Sequence, residues 1–198
     1  MDSFVVKLIT LTAFLAGGGY VFGQTVTTGL TPQEYISDIL LGSGITASNF
    51  TFTGFPEQLG HLEGFTPANF PISDGLVMSC GPTSQLIPDT GGDCTFDGFL
   101  ENIGVTGEAD LLSDAVFVAN YYGFGQPTAI NDVCILEFDF VAAGDSMSFD
   151  YIFASSEYPS DPNNPGGAYV NTIWNDAFGF YLSGPGINGP YANNAVNI

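Results

Sequence analysis

Two neighbouring stretches, Cys134–Val141 (CILEFDFV) and Ser146–Ala154 (SMSFDYIFA), decide the fold class. In the first, Cys134, Leu136, Phe138 and Phe140 fall on one face, and Ile135, Glu137, Asp139 and Val141 on the other. In the second, Met147, Phe149, Tyr151 and Phe153 take every other position. Successive side chains leave a strand on opposite faces, so a period of two marks a strand with one buried face. Ala142–Asp145 (AAGD) reads as a turn between them, and a hairpin is expected. Ala177–Ser183 (AFGFYLS) repeats the alternation through Phe178, Phe180 and Leu182.

Working outward, Asn49–Thr53 and Gly75–Ser79 read as strands, and Val196–Ile198 as the start of another. Ala109–Asp114 reads as a helical turn leading into a strand, Ala115–Ala119. Thr31-Pro-Gln-Glu34 is a capping box with proline at the first helical position. Tyr35, Ile36, Ile39 and Leu40 continue it at helical spacing, and Gly42 is the expected stop, which gives a helix over about Pro32–Leu41. The fold expected is mostly β: an antiparallel β-sandwich, jelly-roll-like, with one short N-terminal helix.

The chain has 198 residues, enough for one domain with a small appendage. Its 45% hydrophobic and 14% aromatic content supplies a core and excludes general disorder. With 26 glycines and 12 prolines, turns and short strands are favoured over a helical bundle. One Lys/Arg against 21 Asp/Glu gives a net charge of −20, which excludes nucleic acid as a partner and attraction to an anionic membrane surface.

Lys7 is the only basic side chain besides His61, and it precedes the apolar stretch Leu8–Phe22. This reads as a secretory signal peptide, residues 1–23, cut before Gln24. A membrane anchor would need ~20 apolar residues, and Gly17, Gly18 and Gly19 interrupt this run. No later segment is long and apolar enough to span, so no integral membrane span is expected after cleavage. Residues 24–198 are then one secreted domain, associated with the cell surface, and the strand-like start at Val196 suggests a domain cut short at its C-terminus.

Cleavage changes the electrostatics. Removing residues 1–23 takes away Lys7 and Asp2, leaving 20 carboxylates and no lysine or arginine. Apart from a protonated His61, no carboxylate can find a side-chain cation. Each must stay hydrated, accept backbone or hydroxyl hydrogen bonds, be protonated, or hold a bound cation. Dependence on Ca²⁺ or on salt is therefore expected.

Ca²⁺ takes six to eight oxygens. Two acid-rich regions offer them: Asp89, Asp93 and Asp97, and the stretch from Glu157 through Asp161, Asn163, Asn164, Asn171 and Asn175 to Asp176. From Asp161 the EF-hand spacing fails, because Pro165 and Thr172 stand where ligands are needed. The metal set expected is Glu157, Asp161, Asn175 and Asp176, assembled from separate loops. The plainer reading of any one of them is a turn-forming side chain.

Three cysteines are present. Cys80 and Cys94 flank a Gly/Pro/Asp-rich loop and are the favoured pair in an oxidising compartment, while pairing with Cys134 stays open. Catalysis finds little support. His61 is the single histidine, and no G-x-S-x-G elbow exists, so no catalytic residue is assigned. Glu137, Asp139, Asp150 and Glu157 could supply a glycosidase pair, but close carboxylates are expected in any chain this acidic. Trp174, Tyr158, Tyr169, Tyr181 and Tyr191 cluster around Pro/Asn/Gly loops, are read as exposed, and could stack on an extracellular glycan, Trp174, Tyr158 and Tyr169 first among them; the alternative is that they cover the ends of a sandwich.

Several blocks together carry a family resemblance. They are Leu41–Thr46 (LGSGIT), Gly75–Ser79, Gly107–Leu111 (GEADL), Cys134–Val141, Phe149–Tyr158 (FDYIFASSEY) and Asn175–Gly186 (NDAFGFYLSGPG). In this order they resemble the choice-of-anchor L domain of bacterial secreted and surface proteins. The resemblance implies an extracellular module whose C-terminal attachment differs between relatives, some of them adhesin-like cargo of type IX secretion. No enzymatic activity is implied by it. The partner expected of such a module is an extracellular glycan or a surface protein. Ser156 stands where an acid is common, and Asn171 where some relatives carry cysteine.

Overall fold

The computed structural model describes residues 25–64, 72, 74–86, 106–142, 144–153 and 176–198, together with the backbone of 4–10. Eight strands are present among them: β1 (Phe4–Thr10), β2 (Thr25–Thr27), β3 (Ile45–Thr53), β4 (Leu59–Glu63), β5 (Asp74–Met78), β6 (Cys134–Ala142), β7 (Phe178–Ser183) and β8 (Val196–Asn197). They form two antiparallel sheets, one in the order β3-β6-β1-β7-β8 and one in the order β2-β4-β5.

The alternation in β6 is realised as read: Cys134, Leu136, Phe138 and Phe140 are all buried. They join Phe180 of β7, Leu59 of β4, Met78 of β5, and Tyr35 and Ile36 in a first core to which both sheets contribute. A second core lies on the other side of β7, where Tyr181 packs with Leu111, Ile130, Val133 and Ala195. Phe180 and Tyr181 are neighbours in sequence, and a strand's pleat sends them to opposite cores.

The first helix starts as its sequence dictates. Thr31 Oγ1 accepts from Glu34 N at 3.2 Å, and Glu34 Oε2 accepts from Thr31 N at 2.7 Å. Thr31 N, and then the Thr31 hydroxyl at the same 2.7 Å, donate to Glu34 Oε2 and hold the Glu34 carboxyl below the usual range. After α1 (Pro32–Glu34) the chain widens into a π-helix, Tyr35–Leu40, closed by Leu41 N donating to Ile36 O. Gly42 is not the left-handed stop expected of it; the helix ends in extended Leu41, and the positive φ of 91° falls at Gly44.

Two expectations are corrected. Ala115–Ala119 is not a strand but the middle of a second helix, α2 (Ala109–Tyr122). Glu108 caps it by accepting from Leu111 N, and Gly123 ends it at φ 75°, so start and stop signals outweigh the local β preference of Val116, Phe117 and Val118. The fold therefore has more helix than the single N-terminal one expected.

Residues 146–153 are the second correction, because they form no strand. The place beside β6 expected for them is held by β1, with Phe4 opposite Phe140 and Thr10 opposite Cys134. Residues 4–10, read above as part of a leader, are thus the central strand of the larger sheet in the uncut chain. The β3–β6 pairing contains a bulge between Ser48 and Thr51, where Asn49 takes φ 55° and donates from Nδ2 to Asp139 Oδ2.

Candidate functional site

Several described carboxylates, Glu34, Glu108, Asp110, Asp114 and Asp139, lean on neutral donors. The densest case is Asp114 on α2. Its Oδ2 accepts from the Tyr181 hydroxyl and, at 2.8 Å, from Asn197 Nδ2, and its Oδ1 accepts from the Tyr191 hydroxyl. One turn earlier, Asp110 accepts from Ala192 N at 3.2 Å. Spacing of four along a helix puts both acids on one face, over the segment that follows β7. Burial, then the hydrogen bond to Asp114, pushes the Tyr181 phenol far up. The Asp114 bond, then burial, pushes Tyr191 up to about 12.

Beside this knot lies a cleft of about 40 Å³ lined by Asp110, Glu137, Tyr181, Ser183 and Asn193. It has room for a water or an ion.

His61 builds the second cluster. Glu63 and Asp74 stand opposite each other in the β4–β5 register, a like-charge pair that repels. His61 lies two residues before Glu63 on the same face, with Nε2 3.1 Å from Asp74 Oδ2 and Nδ1 3.9 Å from Glu63 Oε2. One ligand atom from each of the three falls within 4.8 Å of the others. An imidazole with two carboxylates suits zinc or another borderline cation better than the all-oxygen shell of calcium.

A third feature was hidden from the sequence reading. On α2, Phe117, Val118, Tyr121 and Tyr122 are exposed, Tyr121 by 74%. Tyr122 stacks on Phe124 with centroids 5.8 Å apart and meets Tyr121 edge to face. Read as a strand and a loop, these residues gave no common face; helical spacing gathers them.

Of the expected metal ligands, Asp176 stands just before β7 and is partly buried. Glu157, Asp161 and Asn175 lie outside the described residues, as do the expected glycan-stacking residues Trp174, Tyr158 and Tyr169. Tyr181, read with them as exposed, is corrected: it is buried in the second core, with Tyr191 packed against it. Cys80 is buried and Cys94 lies outside the described residues; Cys134 is buried too, its thiol 3.7 Å from Ser79 O.

Among the described residues no helix is long and apolar enough to cross a membrane. No curated protein and no solved structure matches the chain. The family model of the choice-of-anchor L domain matches residues 24–197. The chain belongs to the choice-of-anchor L domain family, a family of secreted or cell-surface modules and not a known enzyme family.

Proposed function

We propose that residues 24–198 form a non-enzymatic module displayed at the cell surface for adhesion, that residues 1–23 are the leader that exports it, and that calcium stabilises its fold. The observation that carries this reading is the family match over residues 24–197, which begins where the leader is expected to be cut. Calcium is supported by the charge balance. Asp110, Asp114 and Asp139 take backbone, hydroxyl and amide donors, which satisfy their lone pairs and leave their charge uncompensated. Asp176, with Glu157, Asp161 and Asn175, is the proposed site.

The test is a thermal melt of the exported protein in EDTA, in calcium at millimolar concentration, and in sodium chloride alone. Binding at several times Kd stabilises by about 1 kcal/mol, a shift of a few degrees for a domain of this size. Asp176→Asn should remove most of the calcium-specific gain, and His61→Ala should leave it. An equal gain in sodium chloride would reduce the cation to a screening medium. The N-terminal mass of the exported protein checks the cut before Gln24.

A second reading, a carbohydrate-binding module, is favoured by the exposed rings of Tyr121 and Tyr122 beside Asn120 and Gln126, which bond to each other. Glycan-array signal lost on Tyr121→Ala or Trp174→Ala would select it over adhesion to protein.

A further inference from the structure

The central position of the larger sheet is a slot between β6 and β7. In the uncut chain β1 fills it, antiparallel to both neighbours: Phe4 to Thr10 pair with Phe140 to Cys134, and Val5 to Thr10 with Ser183 to Phe178. Without residues 4–10, β6 and β7 would face each other across the width of one missing strand. Two rows of backbone N–H and C=O groups would lose their partners between two cores, a state native proteins avoid.

A second segment of the same chain is suited to that slot and already lies against it. Residues 146–153 form no strand, yet Met147, Phe149, Tyr151 and Phe153 keep the period of a strand with one apolar face. All four are exposed. Their rings are nevertheless placed on β7: Phe149 stacks on Phe180 at 4.1 Å between centroids, Tyr151 stacks on Phe178 at 5.7 Å, and Phe153 lies 6.5 Å from Phe178. Phe178 and Phe180 belong to the first core. The order of these contacts means the segment runs opposite to β7, which is the direction of β1. A hairpin following β6 would run the same way.

We propose that the slot is exchangeable, and that when residues 4–10 leave it, Met147–Phe153 of the same chain enter as the strand after β6. The pleat fixes which face the rings take, and the turn length then fixes the register. With a four-residue turn at 143–146, Phe149 stands opposite Phe140, Tyr151 opposite Phe138 and Phe153 opposite Leu136, which keeps the rings on the side of the first core. By the pairings of β1, Tyr151 then faces Leu182 and Phe153 faces Phe180, so entry slides the segment four residues along β7 from its present ring contacts. This register also sets Asp150 opposite Asp139, so entry is favoured by salt or a cation and by Asp150→Asn. The exchange would take place when the leader is removed, and in that occasion alone it rests on the leader reading; the sheet geometry stands without it.

The test is hydrogen exchange by mass spectrometry on the intact chain and on Leu8→Pro, which removes an amide from the middle of β1. In the intact chain, 4–10 should be protected and 147–153 should exchange fast. In Leu8→Pro, protection should move to 147–153, with exchange there slowed at least about tenfold, while β6 and β7 stay protected and the protein stays monomeric. Fast exchange at 147–153 beside protected β6 and β7 would overturn the proposal. So would protection that appears only in a dimer, which would mean a strand donated by a second copy. If Leu8→Pro does not fold, a protease site placed between residues 10 and 24 allows cutting after folding. Release of the peptide with protection gained at 147–153 supports exchange; release with loss of protection throughout β6 and β7 overturns it. Neither arm involves export, so failure of the leader reading shows separately in the N-terminal mass.

Discussion

The Tyr181 hydroxyl donates to the Asp114 carboxylate, joining the most buried ring of β7 to helix α2. Tyr191 and Asn197 donate to the same carboxylate. Asp114→Ala would leave the Tyr181 hydroxyl, on a residue 1% exposed, without this acceptor. A buried donor left unmatched costs about 1–3 kcal/mol, and three donors lose their partner, so a loss of about 2–4 kcal/mol is expected by denaturant titration. Tyr181→Phe, which leaves Asp114 two donors, should cost about 1 kcal/mol.

The same knot sets an alkaline limit. Tyr181 and Tyr191 both hold their protons more tightly folded than unfolded, Tyr191 to about 12 against an ordinary value of 10.0. For a raised group the contribution is whole below the unfolded value and is lost as pH rises through the folded one. Stability should therefore fall between pH 10 and about 12, with the slope reduced in Tyr191→Phe. Melting temperature against pH, followed beside phenolate absorbance, checks the order of events.

His61→Ala tests the cross-strand acids. Without the imidazole, Asp74 loses its 3.1 Å partner, and Glu63 and Asp74 face each other alone. A loss of about 0.5–1 kcal/mol is expected at low ionic strength, shrinking in high salt. His61→Ala combined with Asp74→Asn should recover most of it. Equal loss at low and high salt would point to packing instead.

Gly179→Ala tests the fit of β7. A Cβ there would fall on the Tyr181 ring. Overpacking of this kind costs about 1–3 kcal/mol, and the near-ultraviolet circular dichroism of the tyrosines should change with it.

The strands whose patterns were legible are those with one dry face. Cys134 to Phe140 alternates because one face meets the first core, and β7 shows its period through Phe178, Phe180 and Leu182 for the same reason. The capping box at Thr31 was legible because four adjacent residues suffice to build it. Helix α2 was not. Ala115–Ala119 has no strong period of its own, and its identity comes from Glu108 and Gly123 at ends 15 residues apart. The aromatic face of Phe117, Tyr121 and Tyr122 was lost with it. Ser146–Ala154 carries a strand pattern, and the place beside β6 that it would take is held by residues 4–10, a distant pairing that no local window can show. Asp114 was invisible because its donors come from the far end of the chain.

Strand β7 gives Phe180 to one core and its neighbour Tyr181 to the other. One backbone segment is therefore a shared wall, and neither core can loosen without loosening it. The consequence is cooperativity: the sheet and α2 should melt as a single calorimetric unit, with equal van't Hoff and calorimetric enthalpies. Damage on the α2 side should reach residues buried beneath the opposite face, and a surface module built this way would resist partial opening by proteases until the whole of it gives way.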